Sequence, residues 1–200
     1  MENNKSFRSL LRQGIITELA VVDMINHNSE FISFLLCHEP QHAMCVDALP
    51  YDIHMMTLVN DYMRLKSIEV KSAICGDRYT TFFAEIIQTR SNGYAEYLVH
   101  SPDYIVYVDV PTGMHYWYDG DLFSIAVKAR HMSRKPTKCG RGEGILFKKE
   151  DKVFGYIGKA KQTPTWEDMS YRYEIQIKNR LHQHKHPMVH KNAPYLPTLD

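Results

Sequence analysis

Two short stretches hold residues that could do chemistry together, 50–52 (Pro-Tyr-Asp) and 68–71 (Ile-Glu-Val-Lys). Asp52 opens one predicted strand. Glu69 and Lys71 lie two positions apart on the next strand, so their side chains share one face of it. Pairing of these strands brings Asp52 near that face. Two carboxylates beside one ammonium on an apolar sheet are costly without a partner. Such oxygen ligands suit Mg²⁺ or Mn²⁺, and a lysine beside them can hold or activate a water.

A cation that neutralises phosphoryl charge, together with a positioned water, is the equipment for hydrolysing a phosphodiester bond. The pattern resembles the signature of the PD-(D/E)XK nuclease superfamily, which is a Pro-Asp-like motif, a gap, and Asp/Glu-X-Lys on the neighbouring strand. Here Pro50-Tyr51-Asp52 supplies the first part with one residue inserted. Glu69-Val70-Lys71 supplies the second part without departure. The resemblance covers about residues 6–131.

The resemblance implies a role for each matching residue. Asp52 and Glu69 would bind the metal, the Val70 carbonyl would add a ligand, and Lys71 would serve the attacking water. Many members of the superfamily place a glutamate in the first helix, and Glu18 is the matching position. The implied cofactor is Mg²⁺ or Mn²⁺, and the implied substrate is DNA, with RNA left open. Many members are homodimers, which implies the same possibility here.

Two of these assignments have competing interpretations. Asp61 is eight positions before Glu69 and is the alternative to Asp52. Its place in an Asn-Asp sequence favours a turn role, so we favour Asp52. For Glu18, a polar face on the first helix is the competing explanation. A non-catalytic regulator on the same scaffold, binding nucleic acid or protein, is the alternative to the nuclease as a whole.

Charge is divided unevenly along the chain, although the net charge is only +1. Residues 1–127 hold 8 Lys and Arg against 16 Asp and Glu, whereas residues 128–200 hold 16 against 7. The basic half can contact a polyanion, or it can dock on the acidic half of the same chain. For a nuclease, the polar and basic candidates for nucleic-acid binding are Gln88, Arg90, Arg134, Lys135, Lys138 and Arg141.

Hydropathy patterns predict the elements that position these residues. Helices are predicted at 6–25, 94–100, 121–131 and 165–185, strands at 51–59, 62–73, 80–89, 104–110 and 115–118, and a hairpin from 145–147 and 153–157. Residues 30–49 are ambiguous. The predicted fold class is α/β, with a restriction-endonuclease-like αβββαβ core and a mixed central sheet. That core spans residues 1–131, and residues 132–200 form a basic extension packed on the same domain.

Other motifs carry less weight. His38-Glu39-Pro40-Gln41-His42 matches the H-E-x-x-H pattern of zinc proteases, but Pro40 disfavours the helix that this chemistry needs. Cys37 and Cys45 could bind zinc with these histidines, but their spacing is not that of a zinc knuckle. The histidines at 182, 184, 186 and 190 are explained by a solvated end of the chain. Gly140–Gly144 is predicted to be a flexible loop and lacks the Gly-Lys-Ser/Thr ending of a P-loop.

Composition bounds the remaining possibilities. A chain of 200 residues with 44% apolar residues is long enough for one domain with a substantial core. The four scattered cysteines predict reduced thiols in a cytoplasmic protein. The apolar runs are too short to span a bilayer, and the first residues show no signal pattern. Restriction, repair, junction resolution and phage DNA processing in a bacterial cell all stay open as pathways.

Overall fold

The computed structural model describes residues 2–27, 31–35, 52–59, 62–88, 93–133, 137–139 and 142–161, and the single positions 168, 171, 174 and 178. None of the described helices is long and apolar enough to cross a membrane. The described helices and strands are, in chain order, α1 (Glu2–Asn26), β1 (Phe31–Leu35), β2 (Ile53–Val59), β3 (Tyr62–Ala73), β4 (Thr81–Gln88), β5 (Gly93–Tyr94), α2 (Glu96–Val99), β6 (Tyr104–Asp109), β7 (Met114–Asp119), α3 (Gly120–Ser133), β8 (Thr137–Cys139), β9 (Gly142–Lys148) and β10 (Tyr156–Lys161).

A mixed six-stranded sheet forms the centre of the fold, with the strand order β1-β2-β3-β6-β7-β10. β1, β2 and β3 form an antiparallel meander, and β3 runs parallel to β6. A parallel pair needs a crossover connection, which β4, β5 and α2 provide here. The remaining neighbours, β6 with β7 and β7 with β10, are antiparallel. The predicted α/β class with a mixed central sheet is confirmed.

The sequence predicts that the central meander is completed by a strand after β3, but the structure completes it with a strand before β2. The strand expected at residues 80–89 is present as β4, but β4 belongs to a second sheet of order β5-β4-β9-β8. β1, from the ambiguous segment 30–49, completes the meander instead. The order helix, three strands, helix, strand is therefore kept, with β4 and β5 inserted before α2. An apolar pattern identifies a strand but does not determine which sheet it joins, and this explains the error.

The hairpin predicted between residues 145–147 and 153–157 is wrong. β9 pairs with β4 and β8, whereas β10 pairs with β7 in the central sheet. A 3₁₀ helix, Lys152–Phe154, separates the two strands and ends at Gly155, whose φ of 75° suits glycine. The glycines at 142 and 144 lie in β9 and not in a loop. A Cβ added at Gly144 would lie 2.0 Å from the Ala84 carbonyl oxygen, so close strand packing requires this glycine.

The central sheet is covered differently on its two faces. Ile68 and Val70 of β3 pack in one buried cluster with Val21 and Ile25 of α1. Tyr107 of β6 belongs to a second, largely aromatic cluster that includes side chains from β4, β9 and α3. Because side chains alternate along a strand, Glu69 and Lys71 of β3 face away from α1. The chemistry-bearing residues of β3 are therefore on the face covered by the second sheet.

A buried ion pair ties the ends of three strands together. The Asp109 carboxylate, at the end of β6, lies 2.7 Å from Nζ of Lys149, which directly follows β9. Its other oxygen accepts the backbone N–H groups of Cys75 and Gly76, just beyond β3, at 3.3 and 2.8 Å. Nζ of Lys149 also donates to the Gly76 carbonyl at 2.8 Å. Cys75 is a free thiol, as predicted.

Candidate functional site

The candidate site lies where β2 begins and β3 continues past it. Ile53, the first residue of β2, pairs with Ile68, so residues 69–73 of β3 extend beyond that partner. Asp52 directly precedes β2, and its Oδ2 accepts the Val70 N–H at 2.7 Å. The N–H and C=O groups of one strand residue point to the same side, so the Val70 carbonyl faces this edge as well. The main chain thus brings one carboxylate and one carbonyl oxygen together.

Glu69 and Lys71 form an ion pair on the same face of β3, as their spacing predicts. The Glu69 side chain is 9% exposed, whereas that of Lys71 is 30% exposed. Burial acts to lower the pKa of Lys71, but the Glu69 and Asp52 carboxylates and the hydrogen bond outweigh it, so that pKa is raised. Lys71 is therefore an ammonium at neutral pH, and in this geometry it supplies positive charge and donors rather than a base.

Asp52 is the member of the group whose ionised form is least favourable. Burial is the largest cause that raises its pKa well above the ordinary value, followed by the negative charges of Glu69 and Glu18. Lys71 and the Val70 N–H act in the opposite direction and do not balance these causes. Glu18, half-buried on α1, is thus brought into electrostatic range of Asp52. Asp52 and Glu69 act on one ammonium, and Glu18 adds its charge near Asp52, which leaves an excess of negative charge at this edge.

The donor set fits a hard divalent cation. Asp52 and Glu69 offer carboxylate oxygens, and the Val70 carbonyl faces the same edge, which is the chemistry that Mg²⁺ and Mn²⁺ select. In the part of the chain that the structure describes, no three His, Cys, Asp or Glu side chains are grouped as a complete ligand set. Two carboxylates suffice for Mg²⁺, which usually keeps several of its waters. A cation here would also relieve the repulsion that raises the pKa of Asp52.

Tyr97, on α2, is a neighbour of the site that sequence reasoning missed. Nζ of Lys71 lies 5.4 Å from the centroid of the Tyr97 ring. The Tyr97 hydroxyl donates to the backbone carbonyl of Glu85 on β4. The sequence predicts a short helix at 94–100, but nothing in it indicates that this ring meets the lysine. The contact depends on the crossover between β3 and β6, which sequence spacing does not reveal.

The candidate nucleic-acid residues are only partly placed. Gln88 ends β4, where its backbone pairs with Gly93 and Gly142. Lys138 lies in β8, an edge strand of the second sheet, opposite Glu143. The other candidates and several alternatives lie outside the described residues, namely Arg90, Arg134, Lys135 and Arg141, together with Asp61, Cys37, Cys45, the H-E-x-x-H stretch at 38–42 and the histidines at 182–190.

The chain was compared with protein families, curated proteins and solved structures. No family model and no curated protein matches the chain. Among solved structures, the chain is similar to one described as a bacterial homing endonuclease, I-Ssp6803I. The similarity covers 86% of this chain and 94% of that one, with 14% sequence identity and a TM-score of 0.37. At this level of similarity no residue role is carried over to this chain.

Proposed function

We propose that this protein is a divalent-metal-dependent nuclease that hydrolyses phosphodiester bonds, and specifically an endodeoxyribonuclease. The observation that carries the proposal is the meeting of Asp52, Glu69 and Lys71 at the β2–β3 edge. Asp52 directly precedes β2, Glu69 and Lys71 lie on β3, and the fold brings them together with an excess of negative charge. A structural ion pair would need one acid for one base. A second carboxylate, that of the half-buried Asp52, is explained by a cation.

Each residue then has a distinct task. Asp52, Glu69 and the Val70 carbonyl would hold Mg²⁺ or Mn²⁺, which supplies charge neutralisation at the phosphoryl group. Lys71 keeps its proton, because two carboxylates raise its pKa. It can therefore donate hydrogen bonds to the attacking water and to the phosphate oxygens on which negative charge develops. The Val70 N–H fixes the Asp52 carboxylate. Glu18 adds negative charge near Asp52.

The test is a cleavage assay on the full chain. Purified protein is incubated with supercoiled plasmid, linear duplex DNA, single-stranded DNA and RNA, each with Mg²⁺, Mn²⁺, Ca²⁺ or EDTA. We expect DNA cleavage with Mg²⁺ or Mn²⁺ and none with EDTA. Ca²⁺, which binds in looser geometry, is expected to support binding rather than cleavage. Cleavage that survives exhaustive chelation contradicts the mechanism, and cleavage of RNA alone contradicts the substrate.

A pair of matched variants locates the site within that assay. Asp52→Asn is expected to abolish turnover, because an amide is a weak cation ligand that can still accept the Val70 N–H. Asp61→Asn is expected to leave turnover largely intact. The opposite result would show that the metal-binding strand has been assigned wrongly. Binding without cleavage by the parent protein under every metal condition would instead support a non-catalytic regulator.

A further inference from the structure

The ammonium of Lys71 is held between two different groups. On one side it forms the ion pair with Glu69. On the other it lies 5.4 Å from the centroid of the Tyr97 ring, within the range at which an aromatic face attracts a cation. A cation bound by Glu69 would share that carboxylate with Lys71. The contact between the ammonium and the Tyr97 ring does not depend on Glu69, so it can hold Lys71 in place when Glu69 binds a cation.

The Tyr97 ring is itself fixed on several sides. Its side chain is 2% exposed, and its hydroxyl donates to the Glu85 backbone carbonyl on β4. The Phe123 ring of α3 packs edge-on against it, with centroids 5.9 Å apart. The Ser124 hydroxyl donates to the Tyr97 backbone carbonyl at 3.0 Å. A ring anchored by the second sheet and by α3 has little freedom to follow the lysine, so the lysine adapts to the ring.

We propose that Tyr97 is a positioning residue for Lys71, which holds the ammonium over its ring face so that it points toward the Glu69 edge of the site. This inference rests on the proposed nuclease function and assigns to the second sheet a part in that function. The packing of Phe123 holds the Tyr97 ring in place, with the hydroxyl bond to the Glu85 carbonyl as a second anchor, and the ring places the ammonium. Tyr97 does not touch the reacting atoms, and it acts only through Lys71.

If Tyr97 positions Lys71, two substitutions at this position should affect cleavage differently. Tyr97→Phe keeps the ring face and loses only the hydroxyl, whereas Tyr97→Leu removes the face. We expect single-turnover cleavage by Tyr97→Phe to stay within about 3-fold of the parent, and cleavage by Tyr97→Leu to fall about 3- to 30-fold, the scale of a cation–aromatic contact. DNA affinity measured in Ca²⁺ is expected to change by less than about 2-fold in both.

A matched control separates positioning from loss of core packing. Phe154 is 1% exposed in the same aromatic cluster but has no ring contact with Tyr97. Phe154→Leu therefore removes a buried ring of the core without touching the lysine. We expect it to lower stability about as much as Tyr97→Leu while leaving the cleavage rate of the folded protein unchanged. An equal loss of cleavage in Phe154→Leu would overturn the positioning role.

A spectroscopic measurement tests the contact without any enzyme activity. Protons above an aromatic face are shifted upfield in NMR spectra, so the Lys71 ε-CH₂ protons are expected to be shifted upfield in the parent and in Tyr97→Phe. The shift is expected to vanish in Tyr97→Leu. Its absence in the folded parent overturns the proposal even if Tyr97→Leu fails to fold. A protein that shows the shift but cuts no nucleic acid keeps the contact and contradicts the nuclease function instead.

A double-mutant cycle completes the test. If Tyr97 acts only through Lys71, then adding Tyr97→Leu to Lys71→Ala should not reduce the residual cleavage further. A further fall of 3-fold or more in the double variant would show that Tyr97 acts on the site independently, which contradicts the proposal.

Discussion

Two acid–lysine pairs in this molecule have similar chemistry and opposite surroundings. In the Asp109–Lys149 pair the carboxylate is fully buried, and both of its oxygens have donors. Its lysine also donates to a backbone carbonyl and lies 5.1 Å from the centroid of the Phe82 ring. The Glu69–Lys71 pair also has an aromatic ring beside its lysine. It differs in having a third charged group, the Asp52 carboxylate, which repels that of Glu69.

The difference teaches how to distinguish a structural pair from a functional one. One acid and one base with every donor matched can stabilise a fold, and Asp109 and Lys149 join segments that follow β3, β6 and β9 in this way. A pair crowded by a further carboxylate is a poor structural device, because burying unneutralised charge costs stability. Such crowding is typical of functional sites. If this distinction holds, removing the lysine of the Glu69–Lys71 pair should lower activity, and removing the lysine of the Asp109–Lys149 pair should lower stability.

The largest expected effect is on cleavage by Lys71→Ala. The ammonium matters most as negative charge gathers on the phosphate, so its removal should slow single-turnover cleavage about 10²–10⁴-fold. DNA binding and the urea midpoint, both measured in Ca²⁺, should change little, because the bound cation takes over the neutralisation of Glu69 that Lys71 provides. A Lys71→Ala variant that cuts like the parent would contradict the assignment of β3 as the catalytic strand, and with it the nuclease function.

The reverse pattern is expected for Lys149→Ala. Removing one partner of a buried pair leaves the Asp109 carboxylate uncompensated, which costs about 3–5 kcal/mol of unfolding free energy. Cleavage by the fraction that stays folded should be unchanged. The measurement is urea unfolding followed by circular dichroism. Lys159→Ala, which breaks the exposed pair with Glu150, is the control and should leave the midpoint unchanged. A similar loss in both variants would contradict the structural assignment.

The two pairs also differ in how far the sequence predicts them. Glu69 and Lys71 are two residues apart on one strand, so their shared face follows from β periodicity alone. Asp109 and Lys149 are forty residues apart, and their meeting depends on how the second sheet packs on the central one. The same limit explains the other errors. The apolar residues of β4 and β9 predict strands, but strand pairing is a tertiary property that local pattern does not encode.

A smaller effect is expected on stability without metal. The pKa of Asp52 is raised in the folded state by burial and by Glu69 and Glu18, so the ionised form destabilises the fold. The stability that protonated Asp52 contributes is therefore present at pH below the unfolded pKa, about 3.9, and is lost as the pH rises through the raised folded pKa. In EDTA at pH 7, Asp52→Asn should unfold at a higher urea concentration than the parent, and this advantage should vanish near pH 4.

Added Mg²⁺ should reverse that order. The parent should gain about 2.7 kcal/mol at a free Mg²⁺ concentration of 100 times Kd, because the cation binds the folded state only. Asp52→Asn should gain little, since it has lost a ligand. Equal Mg²⁺ stabilisation of both proteins would show that the cation binds elsewhere. An Asp52→Asn variant less stable than the parent in EDTA at pH 7 would contradict the crowding of charge at this edge.

The smallest expected effect is that of Glu18→Gln. Glu18 raises the pKa of Asp52 less than burial and Glu69 do, so it contributes charge to the site without holding the carboxylates in place. Its neutralisation should weaken Mg²⁺ binding by about two- to tenfold, up to about 1.4 kcal/mol, and leave cleavage at saturating Mg²⁺ reduced far less than in Asp52→Asn. Calorimetric titration with Mg²⁺ measures this change.

The matched control for that prediction is Asp23→Asn, an acid on the same helix at a distance of about 7.5 Å along its axis. If Glu18 acts through its place beside Asp52, then Asp23→Asn should leave the Mg²⁺ affinity at the parent value. Equal weakening by both variants would reduce Glu18 to one of several acids that set the general charge of α1. Unchanged affinity in Glu18→Gln would remove it from the site and leave a polar helix face as its explanation. The excess of negative charge that distinguishes this edge from the Asp109–Lys149 pair would then come from Asp52 and Glu69 alone.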